Sequence, residues 1–378
     1  MNKTQKILIA FLGVAVLFAG FVVFRIAIAK PASLINVAKI SPEQKHDLAV
    51  WEKSYPLQYQ SYLKMKEMAP SPTGYGGSVF PVQKSEMQPE MKTLFKGMPF
   101  SVDYSEDRGH VYTLDDLKET KRVNAASRGA CVSCKTSYTD ELYQEMGWGY
   151  ASKPLAETLE KVGMTGLDCV TCHDPETMNL RVVNPAFNDA MTRLGVDVKN
   201  ASRTDMRTYV CAQCHVEYYF VPNTFQIVYP WDKGLTAQEM YTYYQDDPNG
   251  PNGFKQDWLH PDSKTPVLKV QHPDYETYSS SAHARSGVSC ADCHMPYQRD
   301  NGQKYSSHWL TSPLKNLDAS CSPCHDQGTD WLLASVKSIQ DKTFAMQRTA
   351  GQTIARAHES VGKAEAAGAH EAGLAQAR

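Results

Sequence analysis

Cys131-Val132-Ser133-Cys134-Lys135 decides how this chain is read, because four further segments repeat its Cys-x-x-Cys frame and replace its lysine by histidine. They are Cys169/Cys172 before His173, Cys211/Cys214 before His215, Cys290/Cys293 before His294 and Cys321/Cys324 before His325. Together the five pairs use all 10 cysteines of the 378 residues. Two thiols separated by two residues can add to the two vinyl groups of one haem, and the next side chain then lies beneath the iron as an axial ligand. Zinc ribbons also use Cys-x-x-Cys pairs, and dithiol redox centres use a single one. Neither needs a histidine adjoining the second cysteine four times over. The pattern therefore predicts five covalently bound haem c groups.

Lysine is an unusual axial ligand, since its amine binds iron only when deprotonated, against a free pKa of ~10.4. Burial beside a metal cation supplies such a shift. A pure electron wire has no evident reason to abandon histidine once in five. A changed proximal ligand alters the electronics of the opposite coordination position, and a site doing chemistry keeps that position vacant. Lys135 thus marks the expected catalytic haem. The bland alternative is a degenerate ligand, with the first haem closed by a histidine on its other face, or absent.

The N-terminus begins with Lys3 and Lys6, continues through an apolar run of 18 residues from Ile7 to Phe24, and finishes with Ala27, Ile28 and Ala29 before Lys30. Residues 1–30 read as an export signal. The run is also long enough to span a bilayer, so cleavage after Ala29 and retention as a membrane anchor are both open. Export to the periplasm agrees with the cysteines, because c-type haems are attached outside the cytoplasm and free Cys-x-x-Cys pairs there would otherwise form disulfides. The formal net charge of -2 and the lack of a basic cluster exclude a nucleic-acid partner.

Residues 31–378 are long for one ordinary hydrophobic core. Five apolar haem discs change that, and the expected architecture is a single unit, mainly α, a multihaem cytochrome c fold wrapped around its haems with few short strands. Ser41 to Met68 reads as a pair of short helices opened by Ser41 and Pro42. Ala69 to Pro99, rich in Pro, Gly and Ser, reads as extended covering loops. The long gap from Val216 to Ser289 shows no helical periodicity and is expected to be a functional excursion, with short strands around Phe225 to Tyr229. From Asp330 to about Ala367 apolar residues recur near helical spacing, which predicts a long C-terminal helix packed on another helix, from a second copy of the chain in a homodimer. Gly362 and Gly368 mark an expected break near its end. Of the 12 histidines, four are proximal ligands. The remaining eight include candidate distal ligands, with His110, His283 and His308 favoured by their nearness to the haem segments.

Five stretches carry a resemblance to a known family. They are FKGMPFSVDYSEDRGH at 95–110, CVSCK at 131–135, CAQCHVEYYF at 211–220, KVQHPDYE at 269–276 and CADCHMP at 290–296. From about residue 40 to the end, the chain resembles the pentahaem, ammonia-forming cytochrome c nitrite reductases. The resemblance implies six-electron reduction of nitrite to ammonia at the Lys135-ligated haem, with Arg122, Tyr218 and His272 on its open side. Read alone, Arg122 would be one charge in a solvated run, Tyr218 a core aromatic and His272 a turn residue. An arginine attracts and hydrogen-bonds the anion, while a histidine and a tyrosine deliver protons. The resemblance further implies Ca2+ on Glu217, the carbonyls of Tyr218 and Lys269, and the Gln271 amide, all hard oxygen donors. It makes His110 the cap of the third haem, His308 of the second and His283 of the fifth. The distal ligand of the fourth is expected on a helix beyond the end of this sequence, which reads as a C-terminally incomplete copy. Expected electron donors are a membrane quinol dehydrogenase carrying haem or a small periplasmic multihaem cytochrome. Hydroxylamine and sulfite are further candidate substrates. Two competitors stand beside this reading: a non-catalytic electron-transfer cytochrome, and an octahaem lysine-haem reductase of tetrathionate or nitrite, which five haem segments fit poorly.

Overall fold

The computed structural model describes residues 38–76, 82–105, 108–163 and 166–378, together with Gln5, Gly13 and Phe18. The export segment expected at 1–30 therefore lies outside the described residues, those three apart. Among the described residues no helix is long and apolar enough to cross a membrane.

The architecture is mainly helical with few short strands, as the sequence predicts. Helices Leu48–Ser54 and Pro56–Leu63 form the expected N-terminal pair. Asp47 caps the first by accepting from the Ala49 amide at 2.9 Å, and Pro56 opens the second, where its missing N–H costs nothing. Ser41 opens only the 3-10 turn Pro42–Gln44 and makes no side-chain cap bond. Within the stretch read as covering loops, short helices Lys84–Met87 and Met91–Leu94 form, and the second lies along the C-terminal helix.

The long gap corrects the sequence reading, since it contains helix Ala237–Gln245. Thr236 accepts from the Glu239 amide while the Glu239 carboxylate accepts from Thr236 N at 2.9 Å. This reciprocal capping box fixes the helix start despite a tyrosine-rich sequence of weak periodicity. Strand Tyr219–Phe220 pairs antiparallel with Ile227–Val228, in the expected region. Trp258–Leu259 pairs with Pro266–Val267, and Tyr297–Asp300 with Gln303–Ser306. The last hairpin turns through Asn301 (φ 46°) and Gly302 (φ 83°). That two-residue Asn-Gly loop matches the twist of the flanking strands.

The C-terminal helix spans Thr329–Ala366, 38 residues. It runs through Gly362 without the expected break. A Cβ there would come within 3.1 Å of Asp262 Cβ, so Gly362 serves close packing against the loop at 262. The helix ends beyond it, where Gly368 (φ 77°) precedes an Ala369 N to Ala364 O bond of 3.0 Å. This left-handed residue and its backward bond satisfy the last carbonyls.

Two apolar clusters flank the interior. One gathers Phe187, Val216, Tyr229 and Trp231, and the other Leu114, Val132, Leu142 and Tyr150. The haem-binding segments lie on short capped elements beside them. Cys211 lies in the last turn of helix Arg203–Ala212, capped by Ser202 and Asp205, and Cys290–His294 is a single turn capped by Ser289 and Asp292. Caps hold these short turns where propensity alone would not.

Candidate functional site

A continuous cavity of about 2170 Å3 runs through the molecule, well above the roughly 300–1,000 Å3 of a single-ligand pocket. Cys131, Cys134, Cys169, Cys172, Cys211, Cys214, Cys290 and Cys293 line it. The fifth segment, Cys321, Cys324 and His325, lies off this wall. All ten thiols are unpaired.

Imidazole rings face one another across gaps that no direct hydrogen bond fills. Ring centres of His110 and His215 are 6.1 Å apart, of His173 and His308 6.1 Å, and of His283 and His325 6.2 Å. Two metal–imidazole bonds of about 2.0 Å set back to back would hold rings at about that separation. His294 has no such facing ring among the described residues. The outer nitrogens are engaged as well. His173 Nδ1 donates to Met178 O at 3.1 Å, His294 Nδ1 to Thr311 O at 3.1 Å, His308 Nδ1 to Ser306 O at 2.9 Å and His215 Nδ1 to Asp274 Oδ2 at 3.0 Å. Each bond fixes the tautomer and leaves Nε2 free to ligate. Burial pushes His110 down to about 3 and His308 down to about 4, and lowers His173 and His294. These imidazoles are neutral, the form a metal takes. By contrast His46 uses both nitrogens, on Asp168 (3.1 Å) and Glu141 (2.9 Å). His260 likewise engages Thr93 O at 2.8 Å and the Ser263 amide at 3.4 Å.

Arg122, Lys135, Tyr218 and His272 all lie on the wall of the same cavity. Lys135 follows the 3-10 turn Gly129–Val132, and its carbonyl accepts from Thr113 Oγ1 at 2.8 Å. Arg122 donates through Nε to Thr120 Oγ1 at 3.2 Å, and its guanidinium stacks 4.1 Å over the Phe100 ring. It is close enough to Cys131 and Tyr218 to bias both electrostatically. Tyr218 and His272 meet edge to face with ring centres 5.9 Å apart. Burial lowers His272 to about 4 despite Asp274. Burial likewise raises the Tyr218 hydroxyl far above its ordinary range.

Beside this group lies a buried acidic cluster. Glu217 Oε2 accepts from the Gln271 amide at 2.5 Å, and Oε1 from Tyr244 Oη at 3.3 Å. Lys269 Nζ donates to Gln271 Oε1 at 2.9 Å, and the Lys269 amide to Asp257 Oδ2 at 2.7 Å. Glu276 Oε1 accepts from Glu217 N (2.9 Å) and Trp231 Nε1 (2.8 Å), while its Oε2 has no partner among the described residues. Burial, reinforced by Glu276 and Asp257, pushes Glu217 up to about 7. Burial also raises Asp257 and Glu276, and lowers Lys269 to about 8. Glu217 and Asp257 thus share the Lys269 ammonium, while Glu276 sets a further carboxylate against Glu217. The sequence reading named Glu217, Tyr218, Lys269 and Gln271 here and missed Asp257 and Glu276. It also missed Asp274, whose nearness to His215 depends on a contact across 59 positions.

The cytochrome c552 family model matches residues 47–378. The chain belongs to the cytochrome c552 family. Its cofactor is therefore haem c, and the unpaired thiols, facing rings and large cavity all fit that group. Among this family's members, the cytochrome c nitrite reductase subunit NrfA of Nitratidesulfovibrio vulgaris is 39% identical over 85% of this chain and 67% of its own length. A cytochrome c-552 of Parabacteroides distasonis is 38% identical over 82% of this chain. This chain spans only 62% of that relative's length. Among solved structures, the cytochrome c nitrite reductase catalytic subunit NrfA of Desulfovibrio desulfuricans, described with two calcium sites, superposes with a TM-score of 0.79 at 37% identity. The match covers 86% of this chain and 75% of that one.

Proposed function

We propose that this chain reduces nitrite to ammonia, with substrate bound over the haem whose proximal ligand is Lys135. The carrying observation is that the one haem-binding segment with lysine in place of histidine opens on the same cavity wall as Arg122, Tyr218 and His272. Haem c attached at Cys131 and Cys134 supplies, when bound, an iron with a coordination position for the substrate nitrogen and electrons drawn from the other four haems. Arg122 attracts the anion and hydrogen-bonds its oxygens through the nitrogens that Thr120 leaves free. The neutral His272 imidazole and the protonated Tyr218 hydroxyl supply hydrogen bonds and relay protons to the oxygens as they leave. In this reading His173, His215, His294 and His325 are proximal ligands, and His308, His110 and His283 cap the second, third and fifth haems.

Glu217, the carbonyls of Tyr218 and Lys269, and the Gln271 amide oxygen would hold Ca2+. The crowding of Asp257 and Glu276 around the buried Glu217 supports a divalent, oxygen-loving cation there. The ion would order the loop that carries His272 and brace Tyr218. The exposed apolar residues Trp331, Ile339, Met346 and Ile354 recur at near-heptad spacing along the C-terminal helix, which supports a homodimer packed through that helix. The export segment supports a periplasmic location, with electrons arriving from a membrane quinol dehydrogenase or a small multihaem cytochrome.

The test is ammonium production from nitrite by the haem-loaded protein with a reduced dye, alongside its electron paramagnetic resonance spectrum. Ammonium formation and a high-spin signal that shifts with nitrite are expected. A wholly low-spin spectrum without turnover would reduce the protein to an electron carrier.

A further inference from the structure

The histidines assigned above as haem ligands are not held alike. His173, His294 and His308 each present Nδ1 to a backbone carbonyl, a neutral acceptor, at 2.9 to 3.1 Å. His215 alone among these four donates to a carboxylate, Asp274 Oδ2, at 3.0 Å. Asp274 is firmly placed for this task. Its amide donates to His272 O at 2.7 Å, and the next amide, of Tyr275, donates to His215 O at 3.1 Å. The open surfaces of Asp274 and His215 both face the cavity. A carboxylate on the outer nitrogen draws its proton and makes the imidazole a more basic ligand than a carbonyl does. More electron density at the ligand favours the oxidised metal, which lowers the reduction potential.

The position of this histidine in the chain of haem segments gives the difference a use. Cys214, of the third segment, lies close to Cys134 of the first, and Cys211 lies close to Cys290 of the fourth, all four on the cavity wall. The third segment therefore lies between the lysine-bearing segment and the fourth. We propose that Asp274 is a positioning residue that lowers the reduction potential of the third haem, so that electrons pass downhill from it into the first. The proposal rests on His215 being that haem's proximal ligand, as assigned above. Asparagine at 274 keeps a hydrogen-bond acceptor but removes its charge, making His215 resemble the three carbonyl-held histidines.

The experiment is a redox titration of the holoprotein without nitrite, followed by electron paramagnetic resonance, for the wild type, Asp274→Asn and Asp274→Glu. In Asp274→Asn one low-spin midpoint should rise, by about tenfold in its reduction equilibrium or 59 mV for one electron, while the other midpoints stay. Asp274→Glu should restore the wild-type value. Unmoved low-spin midpoints in Asp274→Asn, or equal shifts in both variants, would overturn the proposal. Should Asp274→Asn load fewer than five haems, Asp274→Gln against Asp274→Glu carries the same comparison. A Gln midpoint above that of Glu then upholds the proposal, and equal midpoints sink it. The outcome is separable from the nitrite-reductase reading, because an electron carrier with no high-spin haem would still show the low-spin shift.

Discussion

Replacing Arg122 by alanine tests the proposed substrate site most directly. Nε of this guanidinium is taken up by Thr120 Oγ1 at 3.2 Å, and its plane rests on Phe100 at 4.1 Å, which leaves the two terminal nitrogens for an anion. A hydrogen bond to a charged group contributes about 1.5–3 kcal/mol. Losing a two-pronged contact at the upper end of that range corresponds to a fall of about 150-fold in kcat/KM for nitrite. Arg122→Lys keeps the charge but not the fork and should lose about tenfold. Phe100→Ala removes only the stacking surface, worth about 0.5–1 kcal/mol, and should cost a few-fold. Steady-state nitrite consumption with a reduced dye measures all three, and haem content determined on the same samples confirms that five groups remain attached. An Arg122→Ala enzyme with unchanged kcat/KM would remove Arg122 from the site and leave it as one charge in a solvated run.

Glu217→Gln should weaken calcium binding, read by metal analysis after dialysis, and a chelator should lower the melting temperature of the wild type but not of this variant. His46 gives a pH-dependent stability. Burial opposes its charge, but Asp168 and Glu141 override this and raise it to about 9, so its contribution is complete below about pH 6.5 and is lost as pH rises through 9. The full shift corresponds to about 3 kcal/mol and, discounted for partial solvation, to about 1–2 kcal/mol. His46→Gln should therefore lower the denaturant midpoint at pH 6 and leave it nearly unchanged at pH 10. The same cluster sets an acid limit, because Glu141, opposed by burial but held by His46 and Lys45, is lowered to about 2 and loses its contribution as pH falls toward that value. Ile339→Lys with Met346→Lys, both more than half exposed, should yield a monomer by analytical ultracentrifugation, whereas an unchanged dimer would place the interface elsewhere.

Several features of the fold were legible in local sequence without being used. Thr236 and Glu239 bear the spacing of a capping box, and Asn301-Gly302 is the dipeptide of a two-residue hairpin. Helix Ala237–Gln245 and the strand pair Tyr297–Asp300 with Gln303–Ser306 follow from them. Gly362 was legible only as a glycine. Whether it breaks the helix or admits a neighbour depends on the loop at Asp262, which comes from a distant part of the chain.

What the sequence determined by itself is the pattern that the covalent chemistry needs: five Cys-x-x-Cys segments, with one lysine where four histidines stand elsewhere. That chemistry is set within five consecutive residues, so spacing suffices to read it. Only the tertiary structure decided which rings face one another, because His110 with His215 and His173 with His308 meet across more than a hundred positions. It likewise decided that Asp274 reaches His215, and that Asp257 and Glu276 crowd Glu217. Electrostatic tuning acts over a few ångströms of space regardless of chain distance, and a linear pattern carries no record of it.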